Sequence, residues 1–270
     1  MAAAALLVLA TSFSPSTHVR PPVATAAARF VPMQLPFARM SAAAASDSKE
    51  AVIERADELH ADNQVDALFE LLADVDTSDD DLAWRYARAH HDKAEEIVGD
   101  DKTKEKLLRD GLAAAEACKD RSASNGYALK WYAILLGRLG DFLPTKEKVA
   151  NSFKIKESLE ASAALLPTDS SIQTALGQWC FKVAGISFVE RNVAKVLFGS
   201  PPESSYDEAL KYCLASYDIR PSKKAALFAG LCNDKLKRSA EAKEWMQKCV
   251  DLPSFGEADA DLDRQAKKML

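Results

Sequence analysis

Residues 222–253 read SKKAALFAGLCNDKLKRSAEAKEWMQKCVDLP, and this stretch decides the architecture. Ala226, Ala229, Gly230 and Asn233 recur at intervals of three and four, as do Ala242, Met246 and Cys249, which is the period of two amphipathic helices. Gly230 and Ala242 supply small side chains where the two helices cross, and Pro253, with no N–H and a locked φ, follows the end of the second. No insertion separates the halves. The unit is one antiparallel helix pair.

Toward the N-terminus the same positions return. Leu176 and Gly177 match the first helix of a unit, and Ala209, Cys213, Ser216 and Pro221 match the second, with about twenty extra residues between them. Leu136 and Gly137, then Ile155, Leu159, Ser162 and Pro167, form an earlier unit with about six extra residues around 140–144. A weaker unit runs over 84–115. From Ala51 onward the three-and-four spacing, with no sustained alternation, predicts an all-α domain with helices at 50–61, 64–75, 80–98, 102–119, 123–140, 145–166, 169–184, 186–198, 204–219, 222–237, 239–251 and 258–269. Hydroxyls and carboxylates at 168–171 and 204–208 are expected to cap the helices that follow. Helix pairs cannot bury both faces alone, so they stack. The expected fold is a tetratricopeptide-like right-handed superhelix of antiparallel helix pairs over residues 47–270. Its concave side is lined by the first helix of each pair, at 84–91, 130–138, 173–182 and 224–235.

Residues 1–46 differ in kind. They hold no Asp or Glu, three Arg (Arg20, Arg29, Arg39) and many Ala, Ser, Thr and Pro. The apolar run from Ala2 to Ala10 is far shorter than the roughly 18 to 20 residues that span a bilayer. The composition predicts a targeting segment of the transit-peptide kind, or else a disordered tail. Import into a plastid or mitochondrion follows from the first; the cytoplasm and cytoskeleton are the alternative.

From Ser48 onward, 32 Lys and Arg face 39 Asp and Glu, an acidic balance that argues against general nucleic-acid binding. Cys118, Cys180, Cys213, Cys232 and Cys249 show neither disulfide nor zinc spacing and each lies in an apolar helical pattern, so buried free thiols are expected. His90 and His91 are adjacent and project about 100° apart on a helix, which does not suit one shared metal. With no phosphate-cradling glycine loop or serine elbow, the chain is expected to be no enzyme, with no catalytic residue, cofactor or metal.

Two blocks then point to a family. The first is KWYAILLG at 130–137 with GD at 140–141 and TKEK at 145–148; the second is LGQWCFKVAG at 176–185, ERNVA at 190–194, LFGSPP at 197–202 and SYDEAL at 205–210. Over roughly residues 50–255 the chain resembles the regulator of microtubule dynamics proteins, insertion included. The resemblance implies a tetratricopeptide-like fold, microtubule association as in some members, and lipid binding at organelle contacts as in others. It carries no catalytic residues. Neither a spanning anchor nor a phenylalanine-rich contact-site motif followed by an acidic tract is expected at the front of this sequence.

The candidate groove comprises Lys130, Trp131, Gln178, Trp179, Lys182 and Arg191: aromatics beside cations, apolar below and cationic at the edge. Core packing is the competing reading of the aromatics, and an ion pair with Glu190 that of Arg191. Lys223, Lys224, Lys235, Lys237 and Arg238 form a candidate basic patch in a stretch, 220–248, that carries eight cations against three carboxylates. Reversing Lys223, Lys224, Lys235 and Lys237 together is expected to weaken partner binding without unfolding the domain. The function expected is a non-catalytic interaction module that binds a protein partner, tubulin or microtubules; the alternative is a domain that binds or transfers anionic phospholipid.

Overall fold

The computed structural model describes residues 48–198 and 202–270; the expected targeting segment lies outside them. Twelve α-helices are found among the described residues: α1 (Lys49–Ala61), α2 (Val65–Leu71), α3 (Asp80–Glu96), α4 (Asp101–Arg121), α5 (Gly126–Leu139), α6 (Thr145–Leu165), α7 (Ser170–Ala184), α8 (Phe188–Phe198), α9 (Tyr206–Ile219), α10 (Lys223–Lys235), α11 (Ser239–Asp251) and α12 (Gly256–Lys267). A 3-10 turn, Gly140–Phe142, links α5 to α6. None of these helices is both long and apolar enough to cross a membrane.

Local chemistry sets the starts. Asp79, Asp100, Asp169, Ser205 and Ser222 each accept from a backbone N–H of the first turn that follows, answering donors the helix itself cannot pair. Asn125 does the same for Tyr127 and Ala128, both at 3.1 Å, and so α5 begins at Gly126 and not at residue 123.

The helices pack as the repeat pattern predicts: α3 on α4, α5 on α6, α7 on α9, and α10 on α11. The insertion becomes α8, between the two helices of the third pair. Chains of contact from α4 to α5, α6 to α7 and α9 to α10 join the pairs, while α12 covers α10 and α11 at the end of the stack. At Gly177 and Gly230 the crossings leave no room for a side chain. A Cβ would lie 2.7 Å from Cys213 Sγ at the first and 2.7 Å from Met246 Cε at the second. Gly137 is different: a Cβ there would meet only Ile155 Cδ1, at 3.8 Å.

A polar staple recurs with the repeat. Ser162 near the end of α6 donates to the Gly126 carbonyl (2.7 Å), and Ser216 near the end of α9 donates to the Ser170 carbonyl (2.8 Å). Each serine is fully buried and bonds the first residue of its pair's first helix, so the small position in the sequence pattern also satisfies a buried carbonyl. In the last pair Cys249 takes this place, and Lys223, the first residue of α10, donates to its carbonyl (2.8 Å).

The core runs along the stack in clusters. Trp84, Leu108, Trp131, Tyr132 and Leu135 join α3, α4 and α5. Trp179, Cys180, Cys213 and Cys232 join α7, α9 and α10, and Leu227, Met246, Leu262 and Ala266 seat α12. All five cysteines are free and buried, and burial pushes Cys118 up to about 12 and Cys180 and Cys249 up to about 11, so these three stay protonated at neutral pH and pack as small hydrophobes.

Candidate functional site

The first helices of successive pairs bring two groups of cations together. At the N-terminal end, α1, α3 and α5 enclose a cleft of about 290 Å³. Asp57 and His60 of α1 form one wall; Trp84, Arg85 and Arg88 of α3 and Tyr127, Lys130 and Trp131 of α5 form the rest. Arg85 grips Asp57 through two bonds, Nε to Oδ1 (3.1 Å) and Nη2 to Oδ2 (2.7 Å), and Arg88 adds Nη2 to Oδ1 (2.8 Å). Burial acts to raise the Asp57 pKa, but the two guanidinium groups outweigh it and hold the carboxyl below its usual range.

Both arginines also lie over Trp84, their Cζ atoms 4.1 Å and 5.1 Å from the ring centroid, while Tyr127 stacks on the indole at 4.5 Å. Arg88 Nε and Trp131 Nε1 are buried and find no acceptor among the described residues. Leaving such a donor unpaired costs about 1–3 kcal/mol.

The second group lies farther along the stack. Lys182 of α7 is exposed, yet desolvation lowers its pKa; Asp141 opposes the shift, and Arg138 of α5 and Lys224 of α10 add to it. Arg138 spends Nη2 on Glu95 (2.5 Å) and leaves its buried Nε unpaired, and Lys182 and Lys224 make no ion pair among the described residues.

The sequence candidates divide. Lys182 stands in this second group and Gln178 is half-buried one turn before it. Lys130 and Trp131 are buried but line the first cleft, with Lys130 Nζ 2.7 Å from Asp169 Oδ2, the cap of α7. Trp179 belongs to the core: it is buried and its Nε1 donates to the Ser152 carbonyl (3.0 Å). Arg191 is a loop staple, donating to the carbonyls of Pro202 (2.9 Å) and Val183 (3.2 Å) across the insertion, and the side chain of Glu190 lies outside the described residues.

The basic patch loses a member. Lys223 is 4 % exposed and its Nζ lies 2.6 Å from Asp263 Oδ1, so it faces inward to α12 and offers nothing to a partner. Lys224, Lys235, Lys237 and Arg238 are exposed, and Arg238 pairs with Asp207 at 3.1 Å. Sequence reasoning did not single out Asp57, Arg85 or Arg88. The available signal was Arg85 and Arg88 three apart beside Trp84 on an expected lining helix; Asp57, 28 and 31 residues away, gave none.

Fold and site together define an all-α tetratricopeptide-type repeat protein with cationic recesses along its first helices. A thermophilic TPR protein of Thermus thermophilus shares this fold at a TM-score of 0.55 and 12% identity, over 82% of this chain and 97% of that one. The chain belongs to the regulator of microtubule dynamics protein 1-3 family, whose model matches residues 52–270. It is 35% identical to regulator of microtubule dynamics protein 1 of Bos taurus over 82% of this chain and 71% of that protein. To regulator of microtubule dynamics protein 3 of Xenopus laevis it is 29% identical, over 81% of this chain and 49% of that one.

Proposed function

We propose that the chain is a non-catalytic docking module whose concave face takes an acidic segment of a protein partner, with microtubules as that partner. The observation that carries the reading is Lys182: exposed, without an ion pair among the described residues, and near enough to Arg138 and Lys224 of the neighbouring pairs for their charges to lower its pKa. Three cations on three successive first helices suit an extended acidic stretch and not a point charge. The relatives' names supply the microtubule; the net negative charge of the chain confines attraction to this face and makes it sensitive to salt.

Co-sedimentation of the full chain with stabilised microtubules across a salt series tests this. Binding should fade as salt rises and weaken several-fold in Lys182→Glu, a change at an exposed position outside the core. Absence of binding at low salt overturns the microtubule assignment, and anionic phospholipid vesicles are then the surface to try. The reading also requires the domain to meet the cytosol: if residues 1–46 carry a fluorescent reporter into a plastid or mitochondrion, the partner is an organellar acidic protein and not tubulin.

A further inference from the structure

We propose that the cleft between α1, α3 and α5 is a binding site for a carboxylate. The inference does not rest on the microtubule reading, because the cleft is built from other residues and any carboxylate-bearing molecule would satisfy it.

The charge inside the cleft is unbalanced. Arg85, Arg88 and Lys130 line it, and Asp57 is the carboxylate among the lining residues. Asp57 is divided between the two arginines, accepting three bonds in all. Asp169 answers Lys130 from outside the cleft, and Asp81, shared with Lys49 at 3.2 Å, reaches Arg85 Nη1 only at 4.0 Å, so the lining cations are incompletely neutralised. A monoanion suits that partial surplus, whereas dianionic phosphate would set a second charge against Asp57 at close range. His60, the other titratable lining group on α1, is engaged by Asp92 through its Nδ1 at 3.0 Å.

The donors are unbalanced in the same direction. Arg88 uses Nη2 for the Ala56 carbonyl (3.2 Å) and Asp57, and its Nε has no acceptor among the described residues. The indole N–H of Trp131, on the facing helix, has none either. Both donors belong to side chains that line the recess, one charged and one neutral, and both lie beneath its surface, so a carboxylate bonds them once the two side chains shift. Trp84 and Tyr127 add an apolar wall, so the ligand carries its carboxylate on a short apolar stem, as butyrate or a glutamyl side chain does.

The test is calorimetric titration of the full chain with three probes: butyrate, a blocked glutamate-containing peptide, and inorganic phosphate. Saturable binding of butyrate or of the peptide, with a change in indole fluorescence and little uptake of phosphate, is expected. Peptide without butyrate assigns a protein-borne carboxylate, and both together admit a free one; either result supports the site. Trp131→Phe, which keeps an aromatic ring and loses the N–H, should weaken binding roughly fivefold, and Arg88→Gln more than that. Asp57→Asn, by removing the resident carboxylate, should tighten it, which loss of packing alone would not do. No saturation by either carboxylate at millimolar concentration, a preference for phosphate, or unchanged affinity in folded Trp131→Phe overturns the proposal.

Discussion

Lys223 Nζ and Asp263 Oδ1 lie 2.6 Å apart, with the lysine side chain 3 % and the aspartate 16 % exposed, and this pair locks the last helix onto the repeat stack. Lys223 also donates to the Cys249 carbonyl, and Ser254 donates to the other Asp263 oxygen, so four groups from α10, α11, α12 and the preceding loop share one network. The hydrogen bonds from Lys223 and then Ser254 hold the Asp263 carboxyl below its usual range.

That network separates Lys223 from the lysines around it. Lys223→Glu sets two carboxylates against each other in a buried place and should destabilise the domain by about 3–5 kcal/mol. The triple change Lys224→Glu, Lys235→Glu and Lys237→Glu touches exposed side chains and should stay within about 1 kcal/mol of the parent. Urea unfolding followed by circular dichroism checks both; equal midpoints for the two variants would refute the lock.

Asp92 makes stability depend on acid. Burial acts to raise its pKa, but hydrogen bonds with His60 of α1 and His91 of its own helix, each 3.0 Å long, win and hold it at about 2 against an ordinary 3.8. A carboxyl depressed in the folded state contributes fully above its unfolded pKa and loses that contribution as pH falls toward the folded one. The Asp92 carboxyl is 18 % exposed, and the shift corresponds to about 2 kcal/mol, present near neutrality and lost between about pH 4 and pH 2. Asp92→Asn should therefore lower the urea midpoint at pH 7 and reduce its fall in acid. A mutant whose acid transition runs parallel to the parent's over that interval would rule the effect out.

Two glycines that occupy like positions in the sequence pattern should respond in opposite directions. Gly177→Ala places a methyl 2.7 Å from Cys213 Sγ and 3.3 Å from the Ala209 carbonyl oxygen and the Cys213 nitrogen, and overpacking of this kind costs about 1–3 kcal/mol. Gly137→Ala meets only Ile155 Cδ1, at ordinary contact distance, on an exposed helical position and should stabilise by about 0.5–1 kcal/mol through helix propensity. Melting temperatures of the two variants decide it, and a loss at both sites would show that Gly137 is also a close crossing.

These glycines also show how far the sequence could be read. Periodicity and capping placed all twelve helices, because local hydrogen bonding and apolar spacing act over a few residues and leave their mark there. The pairing of the helices, and the displacement of α9 by the α8 insertion, followed from small residues at repeat positions. Gly137 matched the pattern without being at a tight contact: the close approach of α5 to the end of α6 comes at Gly126, where a Cβ would fall 2.8 Å from Leu166 Cγ.

By itself, then, the sequence determined the fold class, the helix order and, α1 excepted, the helices that line the recesses, since these depend on spacing along the chain. The tertiary structure alone decided which charges are free. Lys223 and Lys224 are neighbours in sequence, but α12 supplies Asp263 to the first, while the second makes no ion pair among the described residues. Arg85 and Arg88 become a site because α1 brings Asp57 against them from 28 and 31 residues away. Charge pairing is a property of distance in space, and a few ångströms set by the packing of another helix separate a structural cation from one that can meet a ligand.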